Sequence, residues 1–265
     1  MKKLTLQSNA KLNLSLDVLG KDDTGAPTDA APYHLVQTVF CELTPQNCSN
    51  FQPDQITIEE LPENAQPKPL EPDNLAQKAH DLMLEKSHEL NAQTTQIKIT
   101  LTKNIPLSSG LGGGSSNAAT VIKGLNKLWD LKLTAPEMRT LAAKIGMDVS
   151  FFIEGGLALG EHYGEQITQL PPMQGLAFTL HDLPESTGLG ENPNPNKTQQ
   201  AYASLDLSKC GKNTAQTEAL IHAIKTNDLF AIHKTLHNDF ETLLPKPLPK
   251  NHHLTGSGPT RFVMA

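Results

Sequence analysis

The residues best placed to do chemistry lie between 106 and 120, Pro-Leu-Ser-Ser-Gly-Leu-Gly-Gly-Gly-Ser-Ser-Asn-Ala-Ala-Thr, where four glycines precede two serines and a helical pattern starts at once. Glycine allows consecutive backbone amides to turn inward as an anion-binding nest, and a helix start adds partial positive charge. The backbone of Gly110, Leu111, Gly112, Gly113, Gly114, Ser115 and Ser116 is therefore a candidate phosphate cradle, with the two hydroxyls able to donate to phosphate oxygens or to reach a metal ion. No Gly-Lys-Ser/Thr closes the run, so it is not a Walker A loop. No acidic residue follows at the end of a second parallel strand, so it is not a dinucleotide fingerprint either. A flexible linker of this composition would rarely sit between a good strand and a good helix.

Other candidates are scattered. Asp148 borders the apolar run Val149 to Ile153 and reads as a loop residue; it suits a general base or an ordinary turn aspartate. Lys11 points off the opening strand opposite Leu12 and Leu14, the usual place for a solvated lysine, and Asn13 shares its face. Tyr33-His34 opens a strand after a loop, and Tyr202 follows Thr198 by four residues.

Elements must hold these groups. Leu12, Leu14, Leu16 and Val18 alternate with polar residues, the period of a half-buried strand. Tyr33 to Leu43, Gln55 to Glu60 and Ile97 to Leu101 are further strands, and Leu176, Phe178 and Leu180 mark another. Asp73 can cap a helix running to about Leu90, with Leu75, Ala79, Leu82 and Met83 on one face. A second helix spans Ser115 to Trp129. Thr134 and Glu137 make a capping box for a third through Ile145. Short helices fit 214–225 and 228–237, and a domain boundary falls near 155–165. Strands and helices do not alternate regularly, which predicts an α+β fold with largely antiparallel strands.

Composition sets limits. The chain has 265 residues, room for one to two domains. Counting glycine and omitting tyrosine, its apolar fraction is roughly 43%, slightly below the globular average. With 22 basic and 28 acidic residues the net charge is −6, which disfavours a nucleic-acid partner but leaves room for a small anion held by a local loop. No apolar stretch approaches the roughly 20 residues of a membrane span, and polar residues interrupt any N-terminal signal core. Three cysteines without a paired spacing argue against a zinc or disulfide framework and suit a reducing, cytoplasmic compartment.

The stretch Pro106 to Thr120 resembles the central motif of the GHMP kinases, the superfamily of galactokinase, homoserine kinase and mevalonate kinase. Leu111 to Ala119 is most similar to the branch acting on 4-diphosphocytidyl-2-C-methyl-D-erythritol. Ala10-Lys11-Leu12-Asn13-Leu14 resembles that branch's opening strand, Gly146 to Phe152 its catalytic-aspartate segment and Leu254 to Thr260 its third motif. The resemblance implies a two-domain GHMP kinase fold: residues 1–160 forming a ribosomal protein S5 domain 2-like domain with the ATP loop, and residues 161–265 forming an α/β sandwich domain. Implied too are ATP as donor, Mg2+ (with Ser115 a possible ligand), and phosphorylation of the acceptor's 2-hydroxyl in non-mevalonate isoprenoid synthesis. Lys11 and Asp148 would be catalytic. Asn74 and Lys103 would join the loop in ATP binding. Asn13, Tyr33, His34, Thr198 and Tyr202 would bind the acceptor, with Tyr33 and Tyr202 stacking on the cytosine. The expected partner is a small molecule, with no nucleic acid or membrane, and the expected assembly a monomer or homodimer.

Two departures stand out. Pro32 replaces a family glycine before Tyr33-His34, and the second domain reads as shortened, because family members continue with a helix and strand past the third motif. The alternatives are another GHMP kinase, acting on homoserine or a mevalonate-like alcohol, and a non-catalytic nucleotide-binding relative. Tyr33-His34 argues against the first, and the presence of both Lys11 and Asp148 against the second.

Overall fold

The computed structural model describes residues 1–22, 33–182 and 197–265. Its elements run β1 (Lys3–Ser8), β2 (Ala10–Asp22), β3 (Tyr33–Leu43), β4 (Asp54–Glu60), α1 (Leu75–Glu89), β5 (Ile97–Thr102), α2 (Gly113–Leu128), α3 (Ala135–Ala143) and α4 (Met147–Phe151). They continue with β6 (Leu157–Glu161), β7 (Gln166–Gln169), β8 (Phe178–Asp182), α5 (Lys197–Ser204), α6 (Thr214–Thr226), α7 (Leu229–Thr235), β9 (His237–Asn238), β10 (His252–Leu254) and β11 (Thr260–Met264). Among the described residues the strands form three sheets, ordered β1-β4-β5, β7-β6-β3-β2-β9 and β10-β11-β8. Every pairing is antiparallel except β2 with β9. The α+β prediction holds. The five-stranded sheet draws β7 and β9 from beyond residue 161, so it carries strands from both halves of the chain.

The opening strand corrects the reading of a half-buried ribbon with one apolar face. β2 is buried on both faces from Ala10 to Val18. Its register against β3 slips between Asn13 and Ser15, where Leu14 is the extra residue of a bulge. A bulge reverses which face each later residue occupies. Leu12 and Leu14 therefore pack with Val39 and Cys41, while Leu16 and Val18 join Val36 in a different cluster. Lys11 and Asn13 stay on the face carrying Phe40 and Thr38, whereas Ser15 and Asp17 turn to the other side. The bulge is held by Ser15, whose carbonyl accepts from Thr38 Oγ1 at 2.6 Å and whose Oγ accepts from Val39 N at 3.2 Å. Asp17, fully buried, accepts from Asn213 N and Thr217 Oγ1 and lies 2.9 Å from His237 Nε2, fastening α6 and β9 to the sheet. This is how a buried strand carries so many polar residues: each has a partner.

Helices α1 and α2 pack together against the β1-β4-β5 sheet, burying Ala79, Met83, Val121, Ile122, Ile56 and Ile58. The cap of α1 is Asn74, whose side chain accepts from Ala76 N, and not Asp73 as its position suggested. The Thr134–Glu137 capping box is present and starts α3. Among the described residues no helix is long and apolar enough to cross a membrane.

Candidate active site

Residues from Lys11 to Ser257 meet around one cleft of about 930 Å³. Its floor is the turn into α2. Gly112 (φ 70°) occupies the helix cap in the left-handed region, and no side chain caps the helix. The first backbone bond of the helix is Ser116 N to Gly112 O at 2.9 Å. The amides of Gly113, Gly114 and Ser115 therefore have no intrahelical acceptor, and they add to the positive end of the helix dipole. Gly110 (φ 83°) permits a second close approach, because a Cβ there would lie 2.2 Å from the Thr255 carbonyl oxygen. The Gly-rich loop and the turn after β10 thus meet backbone to backbone.

Asp148 sits in the first turn of α4 and not in the loop expected for it. Its carboxylate Oδ2 is 3.7 Å from Lys11 Nζ, and the two differ sharply in exposure, 38% for the aspartate and 3% for the lysine. Burial draws the Lys11 pKa below the ordinary lysine value, and Asp148 pulls it part of the way back. Lys11 also donates to Asn13 Oδ1 at 2.5 Å. That oxygen accepts from Gly256 N at 2.8 Å, and Asn13 Nδ2 donates to Thr38 Oγ1 at 2.8 Å. Asn13 therefore locks the lysine's direction and anchors the turn after β10 to β2.

Also lining the cleft, His34 stacks on Tyr202, with ring centroids 4.7 Å apart and planes 27° apart. Tyr33 packs against Tyr163 at 5.2 Å. The rings therefore pair as His34 with Tyr202 and Tyr33 with Tyr163, where the resemblance implied Tyr33 facing Tyr202 across a base. Burial, and then the nearby Lys21 charge, depress the His34 pKa, so the ring is neutral at pH 7. Its Nε2 is buried with no hydrogen-bond partner among the described residues. Burial raises the Tyr202 hydroxyl pKa, with the Asp148 charge adding to the effect.

Of the candidate residues, Lys11, Asn13, Tyr33, His34, Lys103, Gly110, Gly112, Gly113, Gly114, Ser115, Asp148, Thr198 and Tyr202 line this one cleft. Leu111 is buried in the core and meets the site only through its carbonyl, which accepts from Lys11 N at 2.9 Å. Ser116 is also buried, bonded to Ser8 Oγ at 2.8 Å beneath the helix start. Asn74 lies at the rim as the α1 cap, beside Leu75, which lines the cleft. Lys103 pairs with the fully buried Asp54 and donates to Asn117 Oδ1 at 2.9 Å, which aims its ammonium along the first turn of α2. Sequence reasoning missed Thr38, Phe40 and Tyr163 as lining residues. Scarcity was the available signal for Tyr163: the chain has three tyrosines, and all of them line the cleft.

The model of the GHMP kinases N terminal domain matches residues 74–156. A 4-diphosphocytidyl-2-C-methyl-D-erythritol kinase of Caldicellulosiruptor saccharolyticus is 35% identical over 278 residues, covering 98% of this chain and 87% of the relative. One of the same name from Alkaliphilus metalliredigens is 30% identical over 276 residues, covering 99% and 88%. Among solved structures, a crystal structure of 4-(cytidine 5'-diphospho)-2C-methyl-D-erythritol kinase superposes with a TM-score of 0.66 at 24% identity, covering 99% of this chain and 90% of that one. Likeness of this extent, end to end, makes the chain a member of the 4-diphosphocytidyl-2-C-methyl-D-erythritol kinase family within the GHMP kinases.

Proposed function

We propose that the protein transfers the γ-phosphoryl group of ATP to the 2-hydroxyl of 4-diphosphocytidyl-2-C-methyl-D-erythritol, a step in isoprenoid precursor synthesis. The observation that carries this reading is the convergence, in one cleft, of an uncapped helix start, a lysine–aspartate pair and an aromatic end. The amides of Gly113 to Ser115 and the Lys103 ammonium hold the nucleotide phosphates. The acceptor hydroxyl lies against Asp148, which takes its proton as the phosphoryl group arrives. Lys11, pinned by Asn13, holds its ammonium beside that carboxylate and orients it. His34, neutral and with its Nε2 unpartnered among the described residues, reads the edge of the cytosine.

Among the described residues no group of three or more His, Cys, Asp or Glu could hold a metal ion by itself. Magnesium carried in on ATP needs few protein ligands, because phosphates and water fill most of its shell. Ser115, which lines the cleft in the first turn of α2, fits as one. When bound, the ion neutralises the β/γ oxygens.

ADP release measured across the cytidine diphosphate acceptor, homoserine and mevalonate tests the assignment. Turnover with the first is expected; turnover with either of the others in its place overturns it. His34→Ala is expected to raise the acceptor KM about tenfold, the loss of one buried hydrogen bond to the base edge. The KM for ATP should stay at its wild-type value. An equal rise in both would remove His34 from base recognition.

A further inference from the structure

Lys197 opens α5 and donates to two backbone carbonyls, Ser108 O at 3.0 Å and Gly258 O at 2.8 Å. The first belongs to the Gly-rich loop and the second to the turn after β10. Burial pulls its pKa down to about 8. Among the described residues its ammonium is held by these two carbonyl bonds and by no ion pair. One carbonyl it grips is unusual, because Ser108 adopts φ 53°, a left-handed conformation that is uncommon outside glycine. The next residue, Thr198, has its Oγ1 3.4 Å from Ser257 Oγ. Further along the same helix Tyr202 stacks on His34 at the acceptor end of the cleft.

We propose that Lys197 is a positioning residue: a clasp that fastens the phosphate loop and the Gly256–Gly258 turn to α5, so that nucleotide and acceptor order the site together. α5 touches the phosphate loop at its first residue and the acceptor pocket five residues later. A ligand that orders either end fixes the other through this clasp, and by linkage the effect is reciprocal. The proposal rests on the assignment of the two ends to ATP and to the cytidine diphosphate acceptor.

Calorimetric titration of the full chain tests it, using a non-hydrolysable ATP analogue and 4-diphosphocytidyl-2-C-methyl-D-erythritol, each alone and with the other saturating. In the wild type each ligand is expected to tighten the other by the same factor, about fivefold or more. In Lys197→Met that factor should fall to about one while each ligand still binds alone. Lys197→Arg should keep it, because a guanidinium can donate to both carbonyls. If Lys197→Met does not fold, Lys197→Gln is measured in its place with the same expectation. Undiminished coupling in the folded variant, or its absence in the wild type, overturns the clasp alone. Failure of the acceptor to bind the wild type overturns the functional reading, and the clasp with it.

Discussion

Asp148→Asn is expected to lower kcat by about 10²–10⁴-fold, the ordinary cost of removing a general base, while both KM values stay near wild type. The substitution keeps shape and hydrogen-bonding capacity, and the side chain is 38% exposed at the cleft, so the fold should tolerate it. Lys11→Met should slow the reaction through the same step, because it removes the charge 3.7 Å from the carboxylate. The double variant is expected to be little slower than the slower single one, since the pair acts as a unit. A second readout separates this role from packing. Burial lowers the Lys11 pKa, so it loses its proton, and the pair its cation, at a pH below that of an ordinary lysine. The wild-type kcat profile should therefore fall on its alkaline side in that range. In Lys11→Met this limb should be missing. Steady-state ADP release from pH 6 to 10 measures both effects, and near wild-type turnover by Asp148→Asn would remove it from catalysis.

Much of this site could be read in the residues alone, for reasons of local physics. Tyr33–Leu43 and the Thr134 capping box are signals complete within a dozen residues, and the structure reproduces them. The anion cradle is equally local, because glycines followed directly by a helix leave amides free wherever they occur. What could not be read depends on distant partners. The bulge at Leu14 is defined only against β3, and without it the alternation from Leu12 to Val18 places four apolar side chains on one face when they occupy two. Ser115 and Ser116 look equivalent in sequence, yet one lines the cleft and the other is buried against Ser8, more than a hundred residues away. The ring pairing at the acceptor end depends on Tyr163, which no motif marks.

The same distinction decides which glycine tests the phosphate loop. Sequence alone makes Gly113→Val the natural choice to obstruct it while sparing the fold. The structure corrects that choice: a Cβ at Gly113 would lie 2.8 Å from Ile105 Cγ2 and 3.1 Å from Ile105 Cβ in the core, and 3.4 Å from Lys103 Nζ, so the substitution disturbs packing and the phosphate-binding lysine together. Overpacking of this kind costs about 1–3 kcal/mol, and a chain of this size loses roughly 2–4 °C in Tm for each kcal/mol. Gly113→Val should therefore melt several degrees lower. Gly114 is the cleaner site. It is exposed in the cleft, lies outside the left-handed region, and its Cβ would meet only Leu75 Cδ1 at 3.7 Å. Gly114→Val should fold with a Tm close to wild type, because valine is a slightly better helix former than glycine. Its branched side chain would stand over the amides of the first turn and obstruct at least one charge-assisted hydrogen bond to phosphate. Such a bond is worth about 1.5–3 kcal/mol, so ATP affinity should fall by about tenfold or more. Melting curves and ATP titrations of the two variants together separate folding from binding. Unchanged ATP affinity in folded Gly114→Val would mean that the phosphates are not held at the start of α2.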